Sequence, residues 1–569
     1  MDLLQHFRRV DGPRWLALAL FTILLLPNIG LSILDPMSAG ARVCNIILPA
    51  SLYLLLVSVL RNPARSVWMC FPLIFLSAFQ LVLLYLYGHS IIAVDMFLNL
   101  VTTNSSEALE LLGSMLPAMV GVIIIFVPIL YIAAVKARRS DFTLSYDFMH
   151  KMHVAGLGGA LAGVICLGFC TIAGGYSVRD DLYPVNVCYN IYLAVDRSVR
   201  TAEYAETSRD YRFDAATTHP ADSAEVYVLV IGETARAENF GLYDYDRDTT
   251  PRLSARQGLI AYTDAYTQSN TTHKSVPMLL SAASADDYDR IYSEKGIIAA
   301  FREAGFKTVF LSNQRPNHSF IDLLGSEAET CRFLKEELGA GANPPDADLI
   351  DETARLLDAT DGTGKTLIVL HTYGSHFRYN ERYPHSSARY LPDDASEVTA
   401  ANRDNLVNAY DNTIVYTDSI LDALITLLDR HPAHTAMLYT SDHGENIFDD
   451  EKGMFLHASP RPSAHELHVP LMIWMSDGYR EAYPSTDSIL SANTDRRVYT
   501  SASVFHTMLD LGGVSAKSYV DSLSLASPRF HSGPYHYLTD RNIAQPVEKV
   551  LNSPRVTETS LGAETEHHE

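Results

Sequence analysis

Basic residues are scarce in this chain relative to acidic ones. The 569 residues include 44 Lys and Arg against 66 Asp and Glu, a formal net charge of −22. Proteins that bind nucleic acid need a basic face to neutralise phosphates, so this balance argues against a nucleic-acid partner. The sequence also lacks long runs of like charge, low-complexity blocks and internal repeats, which excludes tail-like and repeat architectures.

Cysteine is scarce as well, with six residues in the whole chain. Four of them lie in or at the edges of long apolar runs, and only Cys188 and Cys331 lie elsewhere. Small secreted domains that rely on disulfides are much richer in cysteine. The sequence therefore shows no disulfide framework.

What the first 176 residues do contain is apolar runs of the length that crosses a bilayer, about 20 residues each. Five follow one another with short polar gaps: Trp15–Leu34, Val43–Leu60, Val67–Tyr87, Pro117–Val135 and Val154–Gly174. We interpret them as five membrane spans rather than buried core helices. The first run lacks a convincing cleavage site and more spans follow it, so it is not a cleaved signal peptide.

Lys and Arg placement predicts the orientation of the spans. Basic residues cluster before the first span, between the second and third, and between the fourth and fifth, whereas the alternate loops carry only Arg42. The N-terminus is therefore expected in the cytoplasm. An odd number of spans places the rest of the chain outside, in the periplasm of a Gram-negative cell, with the anchor in the inner membrane.

The remainder of the chain has an α/β pattern in which short buried runs alternate with helix-like stretches. The strand-like runs are Val226–Ile231, Thr308–Leu311, Leu367–Leu370, Ala436–Tyr439 and Leu471–Trp474. This alternation predicts a mostly parallel sheet, in which ligands bind beyond the carboxyl ends of the strands. We predict a five-helix transmembrane domain over residues 1–176, a bridging helix and linker over 177–223, and a periplasmic catalytic α/β domain over 224–569.

Carboxylates and imidazoles follow several of these strands. Glu233 follows the first, His376 the third, and Asp442 and His443 the fourth, with His457 shortly beyond. Carboxylate oxygens and imidazole nitrogens are zinc ligands, so the pattern favours a metal site over isolated structural residues. A hydroxyl-rich segment, residues 268–277, precedes an apolar helix start. A hydroxyl there suits either a phosphate site or an ordinary helix cap.

Two long motifs carry a resemblance to a known family. They read Val230-Ile231-Gly232-Glu233-Thr234-Ala235-Arg236-Ala237-Glu238-Asn239-Phe240 and Thr249-Thr250-Pro251-Arg252-Leu253. With the spans, they resemble membrane-anchored phosphoethanolamine transferases of the alkaline phosphatase/sulfatase superfamily. These enzymes modify lipid A and core sugars and include the mobile colistin-resistance type. The resemblance implies an α-helical five-span membrane domain joined to an α/β domain of alkaline phosphatase/sulfatase-like type.

The resemblance also implies the site. By motif, the zinc ligands are Glu233, Thr272, Asp442 and His443, with Thr272 as the nucleophile and neighbouring Thr271 as the rival assignment. The implied substrate-binding residues are Asn313, Gln314, His376 and His457, the two histidines being alternatively ligands of a second metal ion. One or two zinc ions are expected. The family motif Asn-His-Gly reads Ser375-His376-Phe377 here, so we expect this segment to influence which acceptor is used.

The implied reaction moves phosphoethanolamine from phosphatidylethanolamine to an envelope glycolipid or glycan, lipid A or the lipopolysaccharide core, through a phospho-threonine. We expect a monomeric enzyme at the membrane whose product weakens the binding of cationic peptides such as polymyxin. The alternatives are a glycerol-phosphate transferase and a sulfatase or phosphodiesterase of the same superfamily. A sensor or transporter is disfavoured, because ionisable residues are nearly absent from the predicted spans.

Overall fold

The computed structural model describes most of the chain: residues 11–35, 37–87, 91–102, 116–172, 176–339, 343–359, 363–449, 453–459, 462–533 and 535–548. The chain divides into two compact units. The first comprises residues 1–100 and 111–196, and the second comprises residues 101–110 and 197–569. This division falls inside a helix, Val185–Ala202, at the position where a bridging helix is predicted.

The described part of the first unit is built mainly from helices. They are α1 Gly12–Leu34, α2 Ala39–Ser58, α3 Pro63–Met69, α4 Phe71–Tyr87, α5 Val94–Thr102, α6 Leu116–Lys136 and α7 Tyr146–Ile172. Four of them, α1, α2, α6 and α7, are long and apolar enough to cross a membrane. They coincide with four of the five predicted spans.

The predicted third span is not one straight helix. It corresponds to α3 and α4, which meet at a bend of 67°. Pro72 is the second residue of α4, and proline has no backbone N–H and disfavours helical geometry in the residue before it. The described helices therefore provide four spans, or five if the bent pair counts as one.

The second unit is built around a seven-stranded sheet. Its strands are β1 Glu225–Gly232, β2 Leu259–Tyr262, β3 Lys307–Ser312, β4 Thr330–Phe333, β5 Lys365–His371, β6 His434–Ser441 and β7 Leu471–Met475. Their order across the sheet is β2-β7-β6-β1-β5-β3-β4. Five neighbouring strands, from β6 to β4, are parallel, whereas β7 pairs antiparallel with both of its neighbours, β6 and the edge strand β2. The predicted, mostly parallel sheet is confirmed.

Helices cover the sheet on both faces. The main ones are α9 Thr272–Leu279, α10 Ile297–Glu303, α11 Ala347–Asp358, α12 Arg403–Arg430 and α13 Thr500–Leu511; helix α8, Val185–Ala202, precedes them and contains the boundary between the two units. Alternate residues of β1 enter two different cores: Tyr227 and Leu229 pack with α10 and α13, whereas Val226 and Val228 pack with α11 and α12. All eight residues of β1 are buried for this reason. The carboxyl ends of β1, β5 and β6 consequently meet at one edge of a rigid platform.

A candidate metal centre at the carboxyl edge of the sheet

The first component of the site is the turn after β1. Glu233 follows the strand directly and is almost fully buried. Thr234 then adopts a left-handed conformation with φ 61°. Its N–H donates to Asp442 Oδ1 over 3.0 Å, and its carbonyl accepts a 2.6 Å hydrogen bond from Tyr410 Oη. Both backbone polar groups of Thr234 are thus held, which fixes the turn that follows Glu233.

The second component is the turn after β6, which carries Asp442 and His443. Asp442 Oδ1 accepts from the His443 N–H over 2.7 Å, whereas Asp442 Oδ2 is buried and has no hydrogen-bond partner within the described residues. His443 Nδ1 lies 2.9 Å from the carbonyl of Gly444. A carbonyl can only accept, so Nδ1 carries the hydrogen and Nε2 is the nitrogen available to a ligand.

The third component is Thr272, the first residue of α9. Its hydroxyl oxygen lies 3.1 Å from Glu233 Oε1, to which it donates, and 3.1 Å from His443 Nε2. Thr271 is the residue before the helix, and its hydroxyl lies 3.2 Å from Ser269 Oγ instead. Of the two rival threonines, Thr272 is the one that meets the ligands.

These groups can hold a metal ion. Ligand atoms of Glu233, Asp442 and His443 all lie within 4.8 Å of one another, and all three side chains are buried. Burial raises the pKa of Asp442. Burial would lower the pKa of His443, but the carboxylates of Asp442 and Glu233 raise it above its usual value. The cluster therefore attracts positive charge, and a divalent cation with oxygen and nitrogen ligands satisfies it.

The two predicted substrate residues after β3 point in different directions. Gln314 Nε2 donates to Glu233 Oε2 over 2.9 Å and to the carbonyl of Thr372 over 3.0 Å. Asn313 Nδ2 instead donates to Asp346 Oδ1 over 2.8 Å. Gln314 therefore belongs to the cluster, whereas Asn313 is turned toward Asp346.

The two predicted substrate histidines both lie in this region of the second unit. The ring of His457 lies 4.2 Å from that of His443, centroid to centroid, and its Nδ1 lies 2.9 Å from Glu445 Oε1. His376 Nδ1 donates to the carbonyl of Phe377 over 2.8 Å. Burial lowers the pKa of His376 to about 4 and that of His457 to about 3. Both rings are therefore neutral at pH 7 and can accept a proton or a metal ion.

Three further residues of the site are missing from the prediction. His371 ends β5, and its Nε2 lies 3.2 Å from Gln314 Nε2. Glu445 accepts a 2.6 Å hydrogen bond from Tyr379, and burial raises its pKa to about 8. Gly374 has a φ of 50°, and a Cβ there would lie 2.7 Å from the carbonyl oxygen of Glu233. His371 could have been found from its position at the carboxyl end of a strand. Glu445 could have been found from its place in the motif that begins at Asp442.

Known proteins share this architecture. The chain is 31% identical over 295 residues to the Kdo(2)-lipid A phosphoethanolamine 7''-transferase of Salmonella typhimurium, and the match covers 50% of each chain. The chain spans about half the length of the curated relatives that it matches.

Two solved structures extend the comparison. The integral membrane lipooligosaccharide phosphoethanolamine transferase A (EptA) of Neisseria meningitidis matches with a TM-score of 0.71 and 23% identity, over 90% of this chain and 97% of that one. The periplasmic domain of Escherichia coli EptC, solved in complex with Zn, matches with a TM-score of 0.55 and 21% identity, over 61% and 98%.

A family model provides the assignment. The model described as Sulfatase matches residues 225–514, a little over half of the chain. The match begins at the first residue of β1 and includes every strand of the sheet as well as Glu233, Thr272, Asp442 and His443. The chain therefore belongs to the sulfatase family.

Proposed function

We propose that this protein transfers phosphoethanolamine from phosphatidylethanolamine to a lipid A-type glycolipid through a covalent phospho-threonine. The observation that carries the proposal is the position of the Thr272 hydroxyl, 3.1 Å from both Glu233 Oε1 and His443 Nε2. A partly buried hydroxyl among metal-type ligands is arranged as a nucleophile. The Salmonella relative is named as a phosphoethanolamine transferase of Kdo(2)-lipid A, and the apolar N-terminal helices would anchor the enzyme where lipid substrates lie.

Zinc is the ion that we assign to the cluster. Glu233, Thr272, Asp442 and His443 would hold it, which is a set of oxygen and nitrogen donors typical of zinc. The zinc complex of the structurally similar EptC domain supports the assignment. When bound, the ion lowers the pKa of the Thr272 hydroxyl and neutralises charge on the phosphoryl oxygens.

The chain's own residues position the reaction. Thr272 Oγ1 forms a bond to phosphorus, the bond from phosphorus to the diacylglycerol oxygen breaks, and diacylglycerol leaves with the proton that Thr272 gave up. The positive end of the α9 dipole lies beside Thr272, where it favours the negatively charged phosphoryl oxygens. Neutral His457 and His376 are the groups that can carry the proton between the two oxygens.

The second half of the reaction regenerates Thr272. An acceptor hydroxyl or protonated phosphate oxygen of the glycolipid attacks the phosphorus, the bond to Thr272 Oγ1 breaks, and Thr272 Oγ1 takes up the proton that the acceptor gives up. We place this chemistry on the periplasmic side of the inner membrane, because both the donor and the acceptor are lipids of that surface. The enzyme acts as a monomer in this proposal, since the second unit supplies every residue of the cluster.

The first prediction concerns the covalent intermediate. The purified full-length protein, incubated in detergent with phosphatidylethanolamine, should gain the mass of one phosphoethanolamine group. Thr272→Ala should gain none, because the attacking oxygen is gone. Intact-mass spectrometry and peptide mapping measure both results.

Thr271→Ala is the control, because its hydroxyl lies one residue away and contacts Ser269 rather than the ligands. It should keep the adduct. An adduct that persists in Thr272→Ala would disprove the assignment of the nucleophile. A glycerol-phosphate adduct formed from phosphatidylglycerol, with none from phosphatidylethanolamine, would instead support the alternative transferase.

A further inference from the structure

Three cysteines of the first unit come together between two membrane helices. Cys44 lies on α2, and its Sγ is 3.0 Å from Cys166 Sγ and 3.6 Å from Cys170 Sγ, both on α7. Cys44 is fully buried, and the other two are partly buried. All three ligand atoms lie within 4.8 Å of one another. This cluster belongs to a different unit from the Thr272 site, and the proposed transfer reaction does not use it.

The packing of α2 against α7 explains why the thiols meet. Cys166 and Cys170 are four residues apart and therefore share one face of α7. The preceding turns of that face carry glycines where α2 comes closest: a Cβ at Gly159 would lie 2.5 Å from Ser51 Oγ, and one at Gly163 would lie 2.6 Å from Leu48. Glycine at such positions lets helix backbones approach closely. The two helices are thus held at a separation at which three sulfurs share one space.

The surroundings of the thiols are apolar. Ala41, Tyr176 and Leu182 are buried beside Cys44, and Met37 packs at the edge of the same cluster. Among the described residues, the group of His, Cys, Asp or Glu side chains that converges at this point consists of these three cysteines. Such an environment excludes hard cations, which need oxygen ligands, and suits an ion that prefers sulfur.

We propose that Cys44, Cys166 and Cys170 form a binding site for Cu(I). Thiolates and thioethers select this soft ion over the hard cations that need oxygen ligands. Structural zinc normally takes four ligands, whereas three converge here. Binding releases thiol protons to solvent and changes no oxidation state. The bound ion links α2 to α7 near the end of each helix.

The test uses the full-length protein in detergent, reduced and desalted without oxygen, and titrated with Cu(I) against a coloured Cu(I) chelator. We expect one Cu(I) per chain. Cys170→Ser should weaken binding by at least about tenfold, because it removes one ligand. Cys70→Ser is the matched control, since Cys70 is also buried in the first unit but lies between α3 and α4; it should bind as the unchanged protein does.

A thermal unfolding measurement accompanies the titration. Cu(I) should raise the midpoint temperature of unfolding of the unchanged protein and of Cys70→Ser, because a ligand stabilises the folded protein that binds it. It should not raise that of Cys170→Ser, which lacks one ligand. A variant that does not fold is recognised by its missing transition without Cu(I), and Cys166→Ser then replaces it. Equal Cu(I) affinity in Cys170→Ser and the unchanged protein would overturn the proposal. So would a Cys44–Cys166 disulfide found by non-reducing peptide mapping of native membranes.

Discussion

Gly374 is a single residue on which the geometry of the metal cluster depends. Its φ of 50° suits glycine, and an added Cβ would lie 2.7 Å from Glu233 O and 2.9 Å from Glu233 N. Gly374→Ala should therefore displace the Glu233 backbone and its carboxylate. We expect a loss of transfer rate of about 100-fold, the effect of a ligand displaced by about 1 Å, together with weaker zinc binding measured by chelator competition.

Gly305→Ala separates the clash from backbone strain. Gly305 has a φ of 90°, and a Cβ there would meet no atom within 4 Å. This variant should lose about 1–2 kcal/mol of unfolding free energy from strain alone and keep its transfer rate. Similar transfer rates in the two alanine variants would contradict the role given to Gly374.

Tyr410 anchors the same turn from the other side. Its hydroxyl donates to the carbonyl of Thr234 over 2.6 Å and accepts from the Arg236 N–H over 2.9 Å. Tyr410→Phe leaves both backbone groups without this partner and should cost about 1–3 kcal/mol of unfolding free energy. The substitution should also weaken zinc binding by about 10–100-fold, because the turn that positions Glu233 loses a hydrogen-bond partner.

The chain offers a matched control in Tyr243, whose hydroxyl likewise bridges a backbone carbonyl and N–H, those of Leu471. Tyr243→Phe should lose similar stability but keep its zinc affinity. Equal zinc affinities for Tyr410→Phe and Tyr243→Phe would show that the turn does not depend on Tyr410.

At the residue scale, the sequence indicates a candidate ligand most clearly where that residue directly follows a strand. Glu233, Asp442 and His443 could be selected because the sheet edge fixes their position. Asn313 also follows a strand, but its side chain turns to Asp346, 33 residues further along the chain. That choice depends on a contact formed only in the folded protein, which no local pattern reveals.

At the element scale, β1 carries a buried carboxylate at each end. Glu233 follows its carboxyl end, and Glu225 begins it, fully buried, with Lys365 Nζ at 2.7 Å and His219 Nδ1 at 3.2 Å. Burial by itself would raise the pKa of Glu225, but hydrogen bonds from His219 and Lys365 lower it to about 2. The folded pKa is thus below the ordinary value of 4.5.

This shift predicts how stability depends on pH. A depressed carboxyl pKa stabilises the fold above about pH 4.5, and the contribution disappears as the pH falls toward 2. Glu225→Gln should therefore lower the unfolding free energy at pH 7 by about 2–3 kcal/mol. The difference from the unchanged protein should narrow below pH 4.5. The fluorescence of buried Trp474 reports on the second unit alone in a Trp15→Phe, Trp68→Phe background.

Glu329→Gln is the control, because Glu329 is exposed and should change the unfolding free energy little at any pH. A Glu225→Gln difference that stays constant down to pH 3.5 would exclude ionisation of Glu225 as its cause.

Strands with long apolar runs are the elements of the sheet that can be predicted from the sequence. The five strands that were predicted have continuous apolar runs, since β1, β5 and β7 are buried throughout and β3 and β6 nearly so. The other two strands are short and less buried: β2 has an apolar run of only four residues, Leu259–Tyr262, and β4 includes the polar Thr330 and Arg332. The bend between α3 and α4 follows from Pro72, a local signal that the apolar run around it conceals.

At the scale of the whole molecule, the side of the membrane on which the second unit lies stays a prediction from Lys and Arg placement. Cys188 tests it, because its side chain is exposed on α8. A maleimide that does not cross membranes should label Cys188 in intact cells whose outer membrane has been permeabilised. Mass spectrometry of the isolated protein locates the label.

Cys188→Ser gives the background labelling, including any from partly buried Cys331. Labelling of Cys188 that requires disruption of the inner membrane would reverse the predicted orientation. It would also remove the proposed periplasmic location of the transfer reaction.

The order of the ligands along the chain has a consequence for biosynthesis. Thr272 and His443 are 171 residues apart, and Glu233 precedes both. A polypeptide that emerges N-terminus first therefore exposes Glu233 and Thr272 long before their partners exist. The candidate ion site is complete only after residue 443 has emerged and β6 has joined β1, so the proposed zinc would be loaded late in maturation. A chain cut short before that point carries the apolar N-terminal helices and Thr272 but lacks the complete set of proposed ligands.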